Sequence, residues 1–343
     1  MGVGLSYAEV GLLSHPHPTF GQTFYMVDSD YRTAAQGWSQ ADRTGPLDLY
    51  EARKAGHGGV QYVYRTEDYT DDTVALQAAN DALVDFRGDA LIFTPGAYSL
   101  VAAVTVDVPD ARWLGPFVSH PTVARASITA TVANQLAIGA TADRMEFGYL
   151  EFIPLTAATM FDLAAVDKLH VHDCFHNADG IAASTATIFW APATSVQHMM
   201  FERNYVWIDA AQGPWINCEG ITKGLVVNDF VIVVEAGTWA AAIDFEGIGA
   251  CNFSVGPGII TGNGTALTSL VTVADKTVDT THGMVVGIRA STVGPAAGSL
   301  AVGTAAAEVD IVDCWRAVAT DTAQPTFTSG GNISWESGVP YTG

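Results

Sequence analysis

Pairs of apolar residues, spaced two positions apart, recur through the second half of the chain. One series repeats every 27 to 29 residues and consists of Phe161/Leu163, Ile188/Trp190, Ile216/Cys218, Ile243/Phe245, Val271/Val273 and Leu300/Val302. A second series repeats every 24 to 33 residues and consists of Met145/Phe147, Leu169/Val171, Met199/Phe201, Leu225/Val227, Cys251/Phe253, Met284/Val286 and Val309/Ile311. Residues i and i+2 of a strand face the same side of a sheet. We therefore expect both series to mark strands that point apolar side chains into one core.

A nearly fixed period of this length predicts a solenoid, in which each strand stacks on the equivalent strand of the next coil. We predict an all-β fold, a right-handed parallel β-helix, because parallel crossover connections almost always have that hand. The more variable intervals of the second series predict loops of changing length on one side of the coil. A β-sandwich or barrel with many short strands is the alternative fold.

The residues outside the repeats divide the chain into four zones. We predict an N-terminal arm over residues 1–21, a helix–strand capping segment over 22–100, the parallel β-helix over 101–318 and a C-terminal tail over 319–343. The open end of a solenoid exposes apolar side chains and unpaired strand edges to water. We expect the capping segment to cover that end.

Two helix–strand units are predicted in the capping segment. A short helix opens at Pro46 and ends near Gly56, ahead of a strand over 60–64. A second helix follows Asp71, whose side chain caps the helix N-terminus, and precedes a strand over 90–94. The apolar face of this second helix is expected to consist of Leu76, Ala79, Leu83 and Phe86.

The charge balance argues against two classes of partner. The chain has 36 acidic and 15 basic residues, for a formal net charge of −21. Such a chain repels nucleic acid and anionic membrane surfaces, so we expect direct contact with neither. The uncharged stretch 247–274 is long enough to span a membrane, but Asn252, Pro257 and Asn263 interrupt it. This stretch therefore predicts strands and turns.

The cysteines do not form a metal-binding or disulfide pattern. Cys174, Cys218, Cys251 and Cys314 are scattered and have no CxxC spacing. Cys218 and Cys251 are members of the two apolar series. We therefore expect small buried side chains rather than a disulfide framework.

Residues suited to catalysis are sparse in the repeats. Polysaccharide hydrolases need two carboxyl groups at a defined spacing, and lyases need a base together with groups that neutralise a uronate. Asp244 and Glu246 flank the inward Phe245 and share one face. Single acidic residues beside inward positions are usually solvated surface groups. We predict no catalytic residue, and a polysaccharide lyase or hydrolase is the alternative.

A run of histidines is the candidate metal site. Strict alternation would place His170, His172, Cys174 and His176 on one face of one strand, with His198 one coil further on. Imidazole and thiolate are good ligands for Zn²⁺, but same-face neighbours lie about 6.5–7 Å apart, so at most two could share one ion. We predict outward histidines and no metal, with His170, His172, His176 and His198 as the candidate ligands if an ion is bound. A pH-sensitive interface is a further hypothesis.

Tryptophan placement bears on partners. Trp190 falls in the apolar series, whereas Trp207 and Trp215 alternate away from inward residues and are expected to point outward. Exposed tryptophans stack on sugar rings or anchor protein interfaces, and the sequence leaves both uses open.

The opening of the chain resembles a known family. Residues 70–79, followed by 95–98, are similar to the start of pectate-lyase-like β-helices, including phage tailspikes. A narrower resemblance, to phage virion β-helix proteins, is carried by residues 27–29, 37–38, 46–49, 87–96, 113–115 and 167–175. This resemblance implies a structural component of a tailed-phage particle, bound to the outside of the head and without a known reaction. It also implies packing as trimers.

These observations lead to one functional expectation and one alternative. We expect a non-enzymatic virion protein that decorates or cements the capsid surface, forms a homotrimer, contacts the major capsid protein or other virion proteins, and needs no cofactor. The alternative is a tailspike-like protein that binds or depolymerises a host glycan.

Overall fold

The computed structural model describes residues 13–16, 23–26, 61–64, 71–81, 83, 85–86, 88–93, 95–116, 125–130, 136–154, 159–178, 188–191, 196–209, 213–220, 222–235, 239–245, 251–262, 267–273, 281–290, 299–303, 307–312, 315–316 and 335–336. The predicted helix after Pro46 lies outside these residues. Within them the helix α1 spans Asp72–Asp81. The strands are β1 (Leu13–Pro16), β2 (Thr23–Met26), β3 (Gln61–Tyr64), β4 (Ala90–Phe93), β5 (Gly96–Leu100), β6 (Val104–Val106), β7 (Arg112–Leu114), β8 (Ala126–Ala130), β9 (Leu136–Ile138), β10 (Glu146–Gly148), β11 (Leu150–Pro154), β12 (Phe161–Leu163), β13 (His170–His172), β14 (Phe175–Ala178), β15 (Phe189–Ala191), β16 (Val196–Gln197), β17 (Met200–Glu202), β18 (Tyr205–Ile208), β19 (Ile216–Cys218), β20 (Thr222–Asn228), β21 (Phe230–Val234), β22 (Trp239–Phe245), β23 (Cys251–Val255), β24 (Gly258–Thr261), β25 (Leu267–Val273), β26 (Thr281–Val286), β27 (Ile288–Ala290), β28 (Ser299–Gly303), β29 (Ala307–Val312), β30 (Trp315–Arg316) and β31 (Trp335–Glu336).

Three parallel sheets form the walls of a solenoid. Sheet I runs β3-β4-β7-β10-β13-β17-β20-β23-β26-β29-β31, with β16 also paired to β20. Sheet II runs β5-β8-β11-β14-β18-β21-β24-β27-β30, and sheet III runs β6-β9-β12-β15-β19-β22-β25-β28. Each coil passes through the three sheets in turn, so every strand pairs with its equivalent one coil away. The predicted parallel β-helix is confirmed, and the separate pair β1–β2 is antiparallel.

The first apolar series lines the interior of sheet III, with two corrections of one residue. Phe161 pairs with Phe189, and Phe189 pairs with Ile216, so Phe189 rather than Ile188 occupies the core position of its coil. Likewise Val271 pairs with Ala301 rather than Leu300. Around both errors the sequence is apolar at consecutive positions, so alternation could not fix the strand register. The rings of Phe161 and Phe189 stack at 4.2 Å between centroids.

The second series lines the interior of sheet I, and two of its pairs were placed wrongly, whereas the last pair, Val309/Ile311, is in register with Gly283 and Val285. Leu225 pairs with Phe253, so the predicted pair Cys251/Phe253 lies two residues early. Phe253 in turn pairs with Gly283, which places Val285 in the core and leaves Met284 on the outer face, 39% exposed. A Cβ atom at Gly283 would lie 2.0 Å from Cζ of Phe253. The ring of Phe253 therefore fills the space that a side chain at residue 283 would occupy. Because the core position of that strand is a glycine, its sequence lacks one of the two apolar residues that mark the other strands.

The helix α1 covers the first coil, as predicted. The carboxylate of Asp71 accepts a hydrogen bond from the amide of Val74 at 2.9 Å, which caps the helix. Because β5 and β6 are the terminal strands of sheets II and III, their outer edges need hydrogen-bond partners. The helix supplies them: the Asp72 carboxylate accepts from the amide of Ser99, and the Gln77 side chain accepts from the amide of Thr105.

Two residues assigned to the helix lie beyond its end. Leu83 is buried but follows α1, and Phe86 is 65% exposed with φ of +55°, which is not a helical conformation. The prediction of a helix face extending to Phe86 was therefore wrong. The strands β4 and β5, which precede residue 101, already belong to sheets I and II. In the described part of the chain, no helix is long and apolar enough to cross a membrane.

Candidate functional site: an ion-pair network between sheets I and II

One residue in the left-handed conformation turns the chain from sheet I into sheet II in four successive coils. These corner residues are Tyr149, Asp173, Arg203 and Asp229, with φ of 60°, 53°, 53° and 50°. The amides of the first three donate to carbonyl oxygens of the following coil over 3.0 to 3.2 Å. Strands in neighbouring coils lie about 4.8 Å apart, so the four corner side chains form a column along the solenoid.

A buried asparagine supports this corner from inside. Asn204 follows Arg203 and is 2% exposed. Its side-chain amide donates to the carbonyl of Val171 at 2.9 Å, and its oxygen accepts from the amide of Cys174 at 3.1 Å. Buried backbone groups need such partners, so Asn204 satisfies two groups at the turn of the preceding coil.

The corner carries a network of charged side chains centred on His172. Its Nε2 lies 3.0 Å from Oε1 of Glu146, and its Nδ1 lies 2.8 Å from Oδ2 of Asp173. Arg203 donates from Nε and Nη2 to the two oxygens of Asp173, each at 2.9 Å. A second Arg203 contact, from Nη1 to Glu202, measures 2.6 Å. These contacts join three successive coils.

The surroundings shift the pKa values of this network in a consistent direction. Burial alone would lower the pKa of His172, but the carboxylates of Glu146 and Asp173 outweigh it and raise this pKa above its ordinary value. Burial would raise the pKa values of Glu146 and Asp173, but hydrogen bonds from His172, and from Arg203 for Asp173, hold both below the ordinary range. The network therefore favours a charged imidazolium between two carboxylates.

This arrangement limits the chemistry available to His172. Both ring nitrogens donate to carboxylates, so neither keeps a lone pair for proton abstraction or for a metal ion. The adjacent His170 has a lowered pKa, because it is partly buried and lies beside the charge of His172. The geometry suits an electrostatic brace between coils rather than a general base.

The histidines are spread over different environments, contrary to the expectation of one shared face. The left-handed Asp173 ends the strand β13 and reverses the alternation, which turns His176 inward. His198 lies between the strands β16 and β17 of sheet I, where its Nδ1 is 2.6 Å from Oδ1 of Asp167. In the described part of the chain, no group of three or more His, Cys, Asp or Glu residues could hold a metal ion.

His176 is a core residue, so the prediction that it faces outward was wrong. It is fully buried, stacks on Phe152 at 5.6 Å and contacts the rings of Phe189 and Trp215. Neither of its ring nitrogens makes a hydrogen bond of good geometry, and the side-chain amide of Asn204 is the polar group beside the ring. Burial lowers the pKa of His176 to about 3, so the ring is neutral over the physiological range.

The cysteine thiols of the described coils are buried. The thiols of Cys174 and Cys218 lie inside the core, and burial raises the pKa of Cys174 to about 12. This agrees with small apolar roles for both residues. The side chain of Cys251 and the whole of Cys314 lie outside the described residues.

The placement of the tryptophans on the inner and outer faces differs from the prediction. Trp215, expected outside, is fully buried. Trp190, expected in the core series, pairs through its backbone with Asp162 and Asn217, whereas its neighbour Phe189 is in register with the core residues Phe161 and Ile216. Trp207 is half-buried on the outer face of sheet II, beside Tyr205, at a ring distance of 6.2 Å. Only Trp207 therefore keeps the predicted outward placement.

The structure describes one of the two carboxylates considered for catalysis. Asp244 occupies an outward position of sheet III, where its backbone pairs with Asn217 and Thr272. Glu246 lies outside the described residues. The described part of the chain thus brings the strongest charge cluster together at the corner, and not at these positions.

The corner network was not predicted from the sequence, although the sequence contains a signal for it. Tyr149, Asp173, Arg203 and Asp229 each follow by two positions the second member of an apolar pair of the second series. Opposite charges at equivalent positions of neighbouring coils predict an ion pair between stacked strands. Applied to Asp173 and Arg203, that rule finds the contact.

The fold and this corner define a parallel β-solenoid protein with an electrostatically braced edge. The sequence matches no protein-family model, no curated protein and no solved structure.

Proposed function

We propose that this chain is a non-enzymatic structural protein of a tailed-phage particle, mounted on the outer surface of the capsid. The observation that carries the proposal is that the charged side chains at the corner between sheets I and II pair with one another. His172, Glu146, Asp173 and Arg203 neutralise one another across three coils instead of presenting an unpaired acid or base. A solenoid whose neighbouring coils are joined by paired charges suits a structural component of a particle. The resemblance of residues 27–29 and 87–96 to phage virion β-helix proteins supports the same role.

The partners of such a protein are other virion proteins, the major capsid protein among them. The net charge of −21 favours contacts with protein over contacts with packaged nucleic acid. Self-association is part of the proposal, and the trimer inferred from the resemblance is one form of it.

Imaging of intact particles tests the location. Density of this chain on the head lattice, at symmetry axes or between capsomers, is the expected result. Density at the tail tip would overturn the capsid assignment. A second test images particles that carry the corner variant Asp173→Asn after heating. The weakened solenoid should leave the capsid at a lower temperature than the wild type.

Glycan binding is the second candidate function, and a specific observation favours it. The rings of Tyr205 and Trp207 are half-buried on the outer face of sheet II, next to the hydrogen-bonded polar side chains of Glu151 and Asn177. Aromatic faces flanked by polar groups stack on sugar rings. Incubation with host polysaccharide, comparing wild type with Trp207→Ala, would show binding or cleavage lost in the variant if this function holds.

A further inference from the structure

The outer face of sheet II carries a row of six residues that is bounded by charges of opposite sign. These residues are Glu151, Phe175, Tyr205, Val231, Ile259 and Arg289, each paired in register with the next. The backbone pairing continues to Ser127 beyond Glu151 and to Trp315 beyond Arg289. Five steps of about 4.8 Å make it roughly 24 Å long. We call these six residues the sheet II row.

The middle of the sheet II row is apolar on a strongly acidic chain. Ile259 is 49% exposed, and Tyr205 and Val231 are half-buried. Phe175 is covered by Tyr205 and by the guanidinium of Arg125, which lies 5.3 Å from the ring centre. Two copies of a chain with a net charge of −21 repel each other over most of their surface. Together with Arg125, the row carries one carboxylate and two guanidinium groups and so adds no net negative charge. The repulsion is therefore weaker at this face, where burial of apolar area also stabilises association.

The order of the charges selects one way of pairing. The centre of the row falls between Tyr205 and Val231, and Glu151 and Arg289 lie equally far from it, two and a half steps on either side. A twofold axis through this centre therefore places Glu151 of each copy opposite Arg289 of the other, at both ends. A twofold contact must be self-complementary in this manner.

We propose that sheet II is the contact face of an antiparallel, twofold-symmetric dimer of this chain. In that dimer Tyr205 packs on Val231, Phe175 with its covering Arg125 packs on Ile259, and the two Glu151–Arg289 pairs set the register. Side-by-side packing in the same direction, as in a threefold assembly, brings Arg289 next to Arg289 and Glu151 next to Glu151, whose carboxylate also accepts hydrogen bonds from Ser127 and Asn177 of its own chain. The pairing does not depend on the proposed virion role, because it follows from the charges of this face alone.

Charge-reversed variants of the full-length chain test the pairing. The mass of the wild type, measured by light scattering at about 10–100 µM, is expected to be twice the 36.1 kDa of one chain. Arg289→Glu and Glu151→Lys, each alone, should weaken association by at least tenfold, because like charges then meet at both ends. Mixing the two variants should restore the dimer, since one end then carries the original pair and the other end the exchanged pair.

The controls separate this contact from misfolding and from other assemblies. Lys223→Glu makes the same change of charge at an exposed position of sheet I and should leave the dimer intact. Recovery of the dimer on mixing excludes loss of folding as the cause of dissociation. A monomeric or trimeric wild type, a dimer that persists in Arg289→Glu, or a mixture that stays monomeric would each overturn the pairing. So would a monomer that binds oligosaccharide through Tyr205 and Trp207.

Discussion

Arg203 holds Asp173 of the preceding coil in a two-pronged ion pair, Nε to Oδ1 and Nη2 to Oδ2, with both distances at 2.9 Å. Both residues adopt the left-handed conformation at the same corner, so the stacking of the coils alone brings them together. Planar two-bond pairing is the strongest geometry for an arginine and a carboxylate. Asp173 also bonds His172, which links the pair to Glu146 one coil further back.

Asp173→Asn should destabilise the protein although its shape is nearly unchanged. The amide cannot accept charge-assisted hydrogen bonds from both His172 and Arg203, so we expect a loss of about 1–3 kcal/mol in the free energy of unfolding. Denaturant unfolding followed by tryptophan fluorescence measures it.

Asp229→Asn is the matched control, because Asp229 occupies the equivalent left-handed corner of a later coil and is exposed. Asparagine tolerates that conformation, so this change should stay within about 0.5 kcal/mol. Equal losses in the two variants would show that the corner conformation, and not the ion pair, carries the effect.

The protonation of His172 should make stability fall at alkaline pH. Its pKa in the folded protein is raised, so its contribution is fully present below the unfolded value of about 6.5 and is lost as the pH rises through the folded value. Thermal unfolding from pH 6 to 9 should show this decline in the wild type and a flatter profile in His172→Gln.

The variant His170→Gln should change the pH dependence of stability in the opposite direction. The folded pKa of His170 is lowered, so that residue costs stability as the pH falls below its unfolded value. An alkaline decline that is as steep in His172→Gln as in the wild type would contradict the role of the His172 bridge.

His176→Phe should stabilise the core and remove an acid-sensitive group. The imidazole is fully buried among aromatic rings, and neither nitrogen makes a hydrogen bond of good geometry, so an apolar ring of similar shape should add about 1 kcal/mol to the free energy of unfolding. With a folded pKa of about 3, the wild type loses stability as the pH falls from about 6.5 towards 3, since the unfolded chain takes up the proton first.

The His176 prediction is measured by denaturant unfolding at pH 7 and pH 4.5 for both proteins. The stability difference between the two pH values should be smaller in His176→Phe. A variant that is less stable at both would mean that the extra volume of phenylalanine strains the core more than the buried ring nitrogens do.

Gly283→Ala should report directly on the register of sheet I. A methyl group there would lie 2.0 Å from Cζ of Phe253, so we expect a loss of about 1–3 kcal/mol from overpacking. Combining it with Phe253→Leu removes the clash, and the two changes together should cost less than the sum of the separate costs. Strict additivity in chemical denaturation would indicate that Phe253 and Gly283 are not neighbours.

The apolar repeat explains why the fold class could be read from the sequence. A coil in a solenoid meets only its two neighbours, so a period in the sequence translates directly into stacked strands. The N-terminal cap of α1 was equally local, because Asp71 contacts an amide three residues away. Register was harder to predict, since Ile188 and Phe189 are both apolar and a shift of one residue exchanges the two faces of a strand.

The sequence by itself therefore determined the period of the coil, the capping helix and the large buried core. Only the tertiary structure decided where His172 and His176 point, because one left-handed residue between them, Asp173, reverses the alternation. It also decided which charges meet. Asp173 and Arg203 are thirty positions apart in the chain and one coil apart in space, and their contact depends on the summed lengths of all the intervening turns.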